Sequence, residues 1–447
     1  MTTLIATVFV LGILIIVHEL GHFLAARMLG VTAEKFSVGF GPKLLSIKRG
    51  ATEYLISAIP FGGYVKLKGE DPAEGSSPAP DAFSSKSPLQ RAAIVFAGPL
   101  MNLLLPFIFM PIVYMVGLKV PFYENNPPII GTVIPDMPAE KAGLMPGDTI
   151  LKIDGKEMRK WSDMQKEFLL NPGVELSATV KRGGEIIQIP IMTGKDPETG
   201  AGYTGVLPVI PSEIGVVRKS GPADKAGIKN GDIIISINGT DVHQWSELSK
   251  IIRASDGKDL ELIVGRKAET LAISVRPEFN NELNYYVIGI EPGGTVVKRY
   301  GPILAIREGI RYNVDLLAST FIIFKKLFTL QLSFKSLGGP VTIAAASGEA
   351  AKMGFGKLAE FIVFLSIQLG IINLIPFIPI LDGAVIVMLM YELIVGREIN
   401  IRVREAFQRI GIILIILLVV FVTYNDIDRM WGDEILNIFR KISGRFI

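Results

Sequence analysis

Four long apolar runs decide most of what this chain can fold into. The first, Leu4 to Ala26, is 23 residues long and apolar apart from Thr7, His18, Glu19 and His22. Ala92 to Leu118 carries no charge between Arg91 and Lys119, and Phe361 to Leu381 carries none between Glu360 and Asp382. The fourth, Ile410 to Asn425, is 16 uncharged residues, with Arg409 placed to snorkel. A bilayer core takes about 20 helical residues to cross. In lipid each backbone polar group must be satisfied internally, which favours helices. The runs therefore predict a multi-pass α-helical membrane protein with four transmembrane helices. No Lys or Arg precedes the first run, and it is too long for a signal peptide, so it is expected to stay as a span.

Composition agrees with spans joined to water-soluble parts. Mean hydropathy is +0.43, yet 20% of the 447 residues are charged. That length suggests two to four domains. With no cysteine there is no disulfide, thiolate metal site or cysteine nucleophile. A net charge of +3 gives nucleic-acid binding no electrostatic support. Imidazole chemistry is limited to His18, His22 and His243.

Basic residues set the expected orientation. None precedes the first run, whereas residues 27 to 92 carry nine Lys or Arg. Arg397, Arg402, Arg404 and Arg409 precede the fourth run. Both segments read as cytoplasmic, which puts both termini and the long 119 to 360 segment outside. Glu70 to Pro88, rich in Pro, Ser, Gly and acids, reads as a flexible linker.

An internal repeat fills the outer segment. Pro138-Ala139-Glu140-Lys141-Ala142-Gly143-Leu144 matches Pro222-Ala223-Asp224-Lys225-Ala226-Gly227-Ile228 at an offset of 84 residues. Gly147-Asp148, Asp154-Gly155, Trp161-Ser162 and Gly205-Val206 find partners at the same offset, without a gap. Each unit predicts a short helix closed by a left-handed glycine, then a strand after Gly-Asp. A tight hairpin follows at Asp154-Gly155 or Asn238-Gly239. A second helix is expected to be capped by Ser162 with Gln165, or by Ser246. The pattern resembles the PDZ domain of bacterial proteases, permuted so that the peptide-side strand comes last. Such a groove can take a peptide or terminus by strand addition; two β-rich modules without a ligand are the other reading. Pro302 to Phe334, with short apolar runs between charges, reads as amphipathic helix at the membrane surface.

The first run carries the chemistry. His18-Glu19-Leu20-Gly21-His22 is H-E-x-x-H, and residues i and i+4 of a helix share a face. Both imidazoles can then reach one metal ion, Zn2+ being the expected cofactor, with Glu19 as general base toward water that the ion polarises. A charge at the bilayer centre costs roughly 2.5 kcal/mol or more, so polar groups there need a purpose. Hydrogen bonds to other helices are the alternative purpose. Zinc hydrolases use three protein ligands. His243 lies on the outer repeat and reads as an exposed loop residue. Asp382, at the cytoplasmic end of the third run, is the candidate third ligand; a helix N-cap or turn aspartate is its other reading.

Together these residues resemble the site-2 protease family of intramembrane zinc proteases, in particular its bacterial members with tandem PDZ domains. The resemblance rests on His18 to His22, Gly39-Phe40-Gly41-Pro42 and Pro60-Phe61-Gly62-Gly63-Tyr64-Val65-Lys66. It continues in Ala97-Gly98-Pro99 with Asn102, Leu337-Gly338-Gly339-Pro340, Asn373-Leu374-Ile375-Pro376 and Leu381-Asp382-Gly383. It implies that His18, His22 and Asp382 hold zinc, that Glu19 is catalytic, and that Asn373 binds the substrate backbone. It also implies a membrane re-entrant β-hairpin at Gly41 to Leu67. The implied substrate is a single-pass transmembrane protein already cut by another protease, such as an anti-sigma factor, or a remnant signal peptide. The implied place is a bacterial inner membrane, with termini and PDZ domains periplasmic and the active site toward the cytoplasm. A membrane-anchored PDZ scaffold with an inactive or structural metal site is the alternative. One departure stands out: an extra residue lies between Pro376 and Pro379, and Ala384 replaces the family's last glycine. In a helix one insertion rotates all later residues by about 100°; between prolines the chain is expected to be extended and to absorb it.

The resulting division begins with a first span at 1–30, a re-entrant β region with linker at 31–92, and a second span at 93–118. PDZ-like domains take 123–208 and 209–292, and an amphipathic region takes 293–357. A third span at 358–382, a connection at 383–409, a fourth span at 410–428 and a tail at 429–447 complete the chain.

Overall fold

The computed structural model describes residues 2–70, 79–196, 200–280, 283–334, 337–397 and 399–443. Much of the expected linker, at 71–78, and the last four residues of the expected tail lie outside the described residues. The chain forms two units: Met1–Leu118 with Lys298–Phe328 and Phe334–Ile447, and Lys119–Val297 with Thr329–Ser333.

The first unit holds helices α1 (Thr2–Met28), α2 (Pro88–Val116), α3 (Pro302–Phe328), α4 (Pro340–Lys352), α5 (Phe355–Asn373), α6 (Asp382–Val395) and α7 (Ile401–Ser443). Strands β1 (Ala33–Arg49) and β2 (Thr52–Leu67) join α1 to α2. Among the described residues, four helical stretches are long and apolar enough to cross a membrane: Thr2–Met28, Pro88–Val116, Phe355–Asn373 and Arg402–Arg429. The last exposes Ile413, Leu417 and Val420, side chains suited to lipid contact.

Small residues let these helices touch. A Cβ on Gly21 of α1 would collide with the Ala97 carbonyl of α2, and one on Gly370 of α5 would meet Leu103 Cγ at 2.9 Å. Pro106 inside α2 has no N–H for the carbonyl of Asn102, four residues earlier. Ser366 Oγ of α5 donates to that carbonyl instead, at 2.7 Å. A proline that would weaken an isolated helix thus becomes a joint between two helices.

The segment read as amphipathic is α3 and α4, and both pack on the sides of longer helices. Gly309 of α3 sits against Pro111, and Thr320 Oγ1 accepts from Gln368 Nε2 at 2.8 Å. The N-terminus of α4 is closed by Asp426 of α7. Its carboxylate accepts from the N–H groups of Gly339 (3.0 Å) and Thr342 (2.9 Å) and from the Thr342 hydroxyl (2.6 Å). A helix N-terminus leaves N–H groups unpaired and favours an anion, so this buried acid has a structural use.

The third apolar run is broken. Helix α5 ends at Asn373, a non-helical stretch follows, and Asp382 opens α6. Asp382 therefore begins a helix and does not end a span. Two prolines account for the break, since neither Pro376 nor Pro379 can donate into a continuing helix. The strand region is also more folded than a hairpin. Lys35–Val38 pairs with Lys66–Gly63 on one side and with Glu53–Ile56 on the other, the latter register rising in step. Glu53–Ile56 pairs in turn with Lys48–Leu45. Each long strand bends, and its halves form a small four-segment sheet with Gly63–Leu67 at one edge.

The second unit contains two copies of one module. Each has a four-stranded antiparallel sheet: in space, Lys156–Glu157, Thr149–Ile153, Glu175–Arg182 and Glu185–Met192 in the first. Thr240–Asp241, Ile233–Ile237, Leu260–Arg266 and Glu269–Val275 form the second. The closing strand pairs with the opening one in both, Val206–Pro208 with Ile130–Val133 and Ile290–Pro292 with Ile214–Val217. Gly143 (φ 78°) and Gly227 (φ 84°) take the left-handed cap, and the hairpin pairs Asp154-Gly155 and Asn238-Gly239 are left-handed throughout. Cap assignments shift, however. The second helices start at Trp161 and Trp245, so Ser162 and Ser246 lie inside them. Asp163 and Glu247, at the third helical position, accept the N–H groups of Lys160 (3.1 Å) and Gln244 (3.4 Å). The acidic side chain at the third position reaches back, which the serine two positions past the cap does not do.

Each module also repeats an ion pair. Arg182 Nη2 lies 2.7 Å from Asp148 Oδ2 and from the Gly143 carbonyl; Arg266 makes the same contacts to Asp232 and Gly227. Asp148 and Asp232 are each 1% exposed. The Arg266 guanidinium, hydrogen-bonded to Asp232, holds that carboxyl below its usual range. A folded-state value below the unfolded one stabilises the fold at higher pH and loses that contribution as pH falls through the folded value. The second module should therefore weaken as pH drops below about 4. Asp232→Asn should cost about 2 kcal/mol at neutral pH, the scale of a hydrogen bond to a charged group, and flatten this acid dependence. Hydrogen exchange in residues 260–275 against pH measures both; an unchanged acid limb in the variant would assign the effect elsewhere.

Candidate metal centre

Helix α1 places His18 and His22 one turn apart, and α6 brings Asp382 to them from across the unit. His18 Nε2 and His22 Nε2 are 3.1 Å apart. Asp382 Oδ2 lies 3.2 Å from His18 Nε2, and Oδ1 lies 3.8 Å from His22 Nε2. Zinc held tetrahedrally by N and O ligands at about 2.1 Å sets them roughly 3.4 Å apart. Among the described residues this is the group of three that could hold one ion. His243, exposed on the second module, is not part of it.

The outer nitrogens decide what the inner ones can do. His22 Nδ1 is 3.0 Å from the Ile94 carbonyl, an acceptor only, so it carries the proton and leaves Nε2 with a lone pair. His18 Nδ1 faces the amides of Asn102 at 3.3 Å and Asn373 at 3.4 Å. Asn102 is fully buried, and its Oδ1 has no hydrogen-bond partner among the described residues. Amide oxygen and nitrogen are assigned, not observed. Turning the Asn102 amide over seats Oδ1 on a protonated His18 Nδ1, with Nδ2 then taking the unpartnered position. Both Nε2 atoms then present lone pairs to each other and to a carboxylate. Three acceptors converging at 3.1 to 3.8 Å repel unless a cation lies among them. The donor set, two imidazoles and a carboxylate, fits zinc.

Helix α2 supplies the support. Arg91, Ile94, Gly98 and Asn102 recur at helical spacing on one face. A Cβ on Gly98 would overlap the His22 ring, so glycine there lets the ring lie against the helix backbone. Glu19 turns toward β2. Its Cγ would lie 3.3 Å from a Cβ on Gly63. The outer edge of the Gly63–Leu67 segment thus runs beside the general-base candidate.

Asn373 and Asp382 meet opposite edges of the His18 ring despite the extra residue. The stretch from 374 to 381 folds back on itself: Leu381 N–H reaches the Ile378 carbonyl at 3.0 Å, and Phe377 projects outward, 75% exposed. Gly383 rests on the Leu374 carbonyl, where a side chain would collide, while Ala384 is buried without such a clash. The extra residue is therefore accommodated in the turn, and Ala384 in the first turn of α6. Sequence reasoning gave Asn102 and Gly98 no role, although their spacing from Ile94 was a signal.

The chain was compared with known proteins. Residues 6–418 match the family model described as peptidase family M50. Regulator of sigma-E protease RseP of Escherichia coli is 33% identical over 94% of this chain and 97% of its own length. The Salmonella typhimurium protein of the same name is 32% identical over 96% and 98%. A Neisseria meningitidis protein assigned by name to the zinc metalloproteases is 34% identical over 97% of this chain and all of its own length.

Replacing Asn102 with Leu removes the His18 acceptor while keeping the volume. Zinc affinity should fall roughly 10- to 100-fold, as for other outer-shell partners of ligating histidines. Chelator competition on purified protein reads this directly, and an unchanged midpoint would show that Asn102 does not set the ring.

Proposed function

Because the chain belongs to peptidase family M50 and is a metalloendopeptidase of the site-2 protease type, we propose that it cuts a peptide bond inside a membrane-spanning segment. The observation that carries this reading is the convergence of His18, His22 and Asp382 on a helix apolar enough to span, with Glu19 beside them.

Zinc, when bound by His18, His22 and Asp382, supplies Lewis-acid polarisation of water and of a substrate carbonyl. Glu19 takes the proton from the attacking water and delivers it to the leaving amine. Its side chain lies against Gly63 of the strand region. A transmembrane helix hides its carbonyls in its own hydrogen bonds, so the target must unwind first. The edge at Gly63–Leu67 offers backbone groups with which an unwound segment can pair. The Asn373 amide is available to hold the substrate backbone near the reacting carbonyl.

The proposed substrate is a single-pass membrane protein trimmed beforehand by another protease. Two full-length relatives are named for regulation of sigma-E, which favours an anti-sigma factor; remnant signal peptides are a second class. The basic residues at 27 to 92 favour a cytoplasmic-side catalytic centre, with termini and PDZ-like modules across a bacterial inner membrane. The paired modules would admit a peptide or newly exposed terminus at the free edges of their closing strands.

Glu19→Gln should keep zinc and lose cleavage by at least 10^3-fold, because the amide cannot accept the proton. The check is mass mapping of the termini produced from a model transmembrane substrate. Cuts confined to its extramembrane loops would displace this reading, and normal cutting by Glu19→Gln would remove Glu19 from the mechanism.

A further inference from the structure

A buried ion pair lies away from the metal centre. Arg91 Nη2, in the first turns of α2, is 2.7 Å from Glu392 Oε2, near the end of α6. The two side chains are 9% and 11% exposed. Arg91 Nε is buried without a partner among the described residues, so Glu392 is the group on which this guanidinium depends. The pair is costly to place in such surroundings, and apolar residues of similar size would pack as well. Its geometry suggests what it does.

Asp382 is the first residue of α6 and Glu392 the eleventh, a rise of about 15 Å. On α2, Arg91 precedes Asn102 by eleven residues, about 16 Å. Asn102 touches His18, and His18 touches Asp382. The two helices therefore run antiparallel over matched lengths, with the ion pair at one end and the ligand atoms at the other. Between them the α2 face holds the Ile94 carbonyl and Gly98, both of which seat His22. At the ligand end α6 enters from a turn, through Leu381, with no side-chain cap of its own. A shift of α6 by one residue would slide it about 1.5 Å and turn it about 100°, carrying the Asp382 carboxylate away from both histidines.

We propose that Arg91 and Glu392 are positioning residues that fix the register of α6 on α2, and through it the place of the Asp382 carboxylate. The proposal rests on the metal reading of the site. Arginine suits this task because its planar fork fixes direction as well as charge. The same face of α2 then sets all three metal-binding candidates: His22 and His18 by contact, Asp382 by remote register.

The test uses full-length protein in detergent. Glu392→Gln and Arg91→Gln should each weaken zinc binding at least 10-fold by chelator competition, and lower kcat with little change in KM. Helix content and elution volume should be unchanged. The charge-swapped double variant, Arg91→Glu with Glu392→Arg, should recover zinc affinity that each single swap loses. Single variants with wild-type zinc affinity, or a double variant no better than the singles, would overturn the proposal while leaving the metal site standing. Wild-type protein that binds no zinc would overturn both; wild-type protein that binds zinc but does not cut within the membrane would overturn only the proposed function.

Discussion

Three lone-pair-bearing groups are forced together in apolar surroundings, and the rest of the membrane unit is arranged to keep them there. His18, His22 and Asp382 approach to within 3.8 Å without a proton to share between the imidazoles once their outer nitrogens are satisfied. With the proton on both outer nitrogens, such a cluster favours a cation among its acceptors. Rigid neighbours must hold it. Helix α2 does most of this through an acceptor carbonyl, a missing side chain, a buried amide and an ion pair, all on one stripe.

Close helix approach is the second requirement. Between lipid-facing helices there is little hydrophobic drive, so contact depends on small residues and on hydrogen bonds that water cannot replace. Gly21, Gly98 and Gly370 supply the first; Ser366 on the Asn102 carbonyl and Asp426 on the start of α4 supply the second. Pro106 shows the link between them. By withdrawing one N–H from α2 it creates an acceptor that only a neighbouring helix can fill, so a local defect specifies a tertiary contact.

The parts legible in the sequence are those set by short-range geometry. The four-residue spacing of His18 and His22, the constant repeat offset and the lengths of the apolar runs each follow from the period of one element. The features that were not legible depend on choices made across elements. The uncharged run to Leu381 looks continuous by hydropathy, yet Pro376 and Pro379 end the helix at Asn373 and turn Asp382 into the opening residue of α6. The helices at Trp161 and Trp245 could be placed to within two residues, but the cap passed from serine to the acid at the third position. The resemblance marked a hairpin at Gly41 to Leu67 without saying that the first strand begins at Ala33 or that each strand would bend and pair twice. The ion pair of Arg91 with Glu392 spans 301 residues and leaves no local trace.

The break before Asp382 is the point at which these constraints meet. A continuous helix would have fixed the angle between Asn373 and Asp382, and one inserted residue would have destroyed it. A turn decouples them. It lets α5 deliver Asn373 to one edge of the His18 ring while α6 delivers Asp382 to the other. The cost is that nothing in the turn itself sets the register of α6, since the Leu381 position provides no side-chain cap. Register is then held at the far end of the helix, where a buried arginine and glutamate make a directional contact that a stack of aliphatic side chains cannot. Tolerance of an insertion near the metal centre and reliance on an ion pair about 15 Å away are therefore two consequences of the same break in the chain.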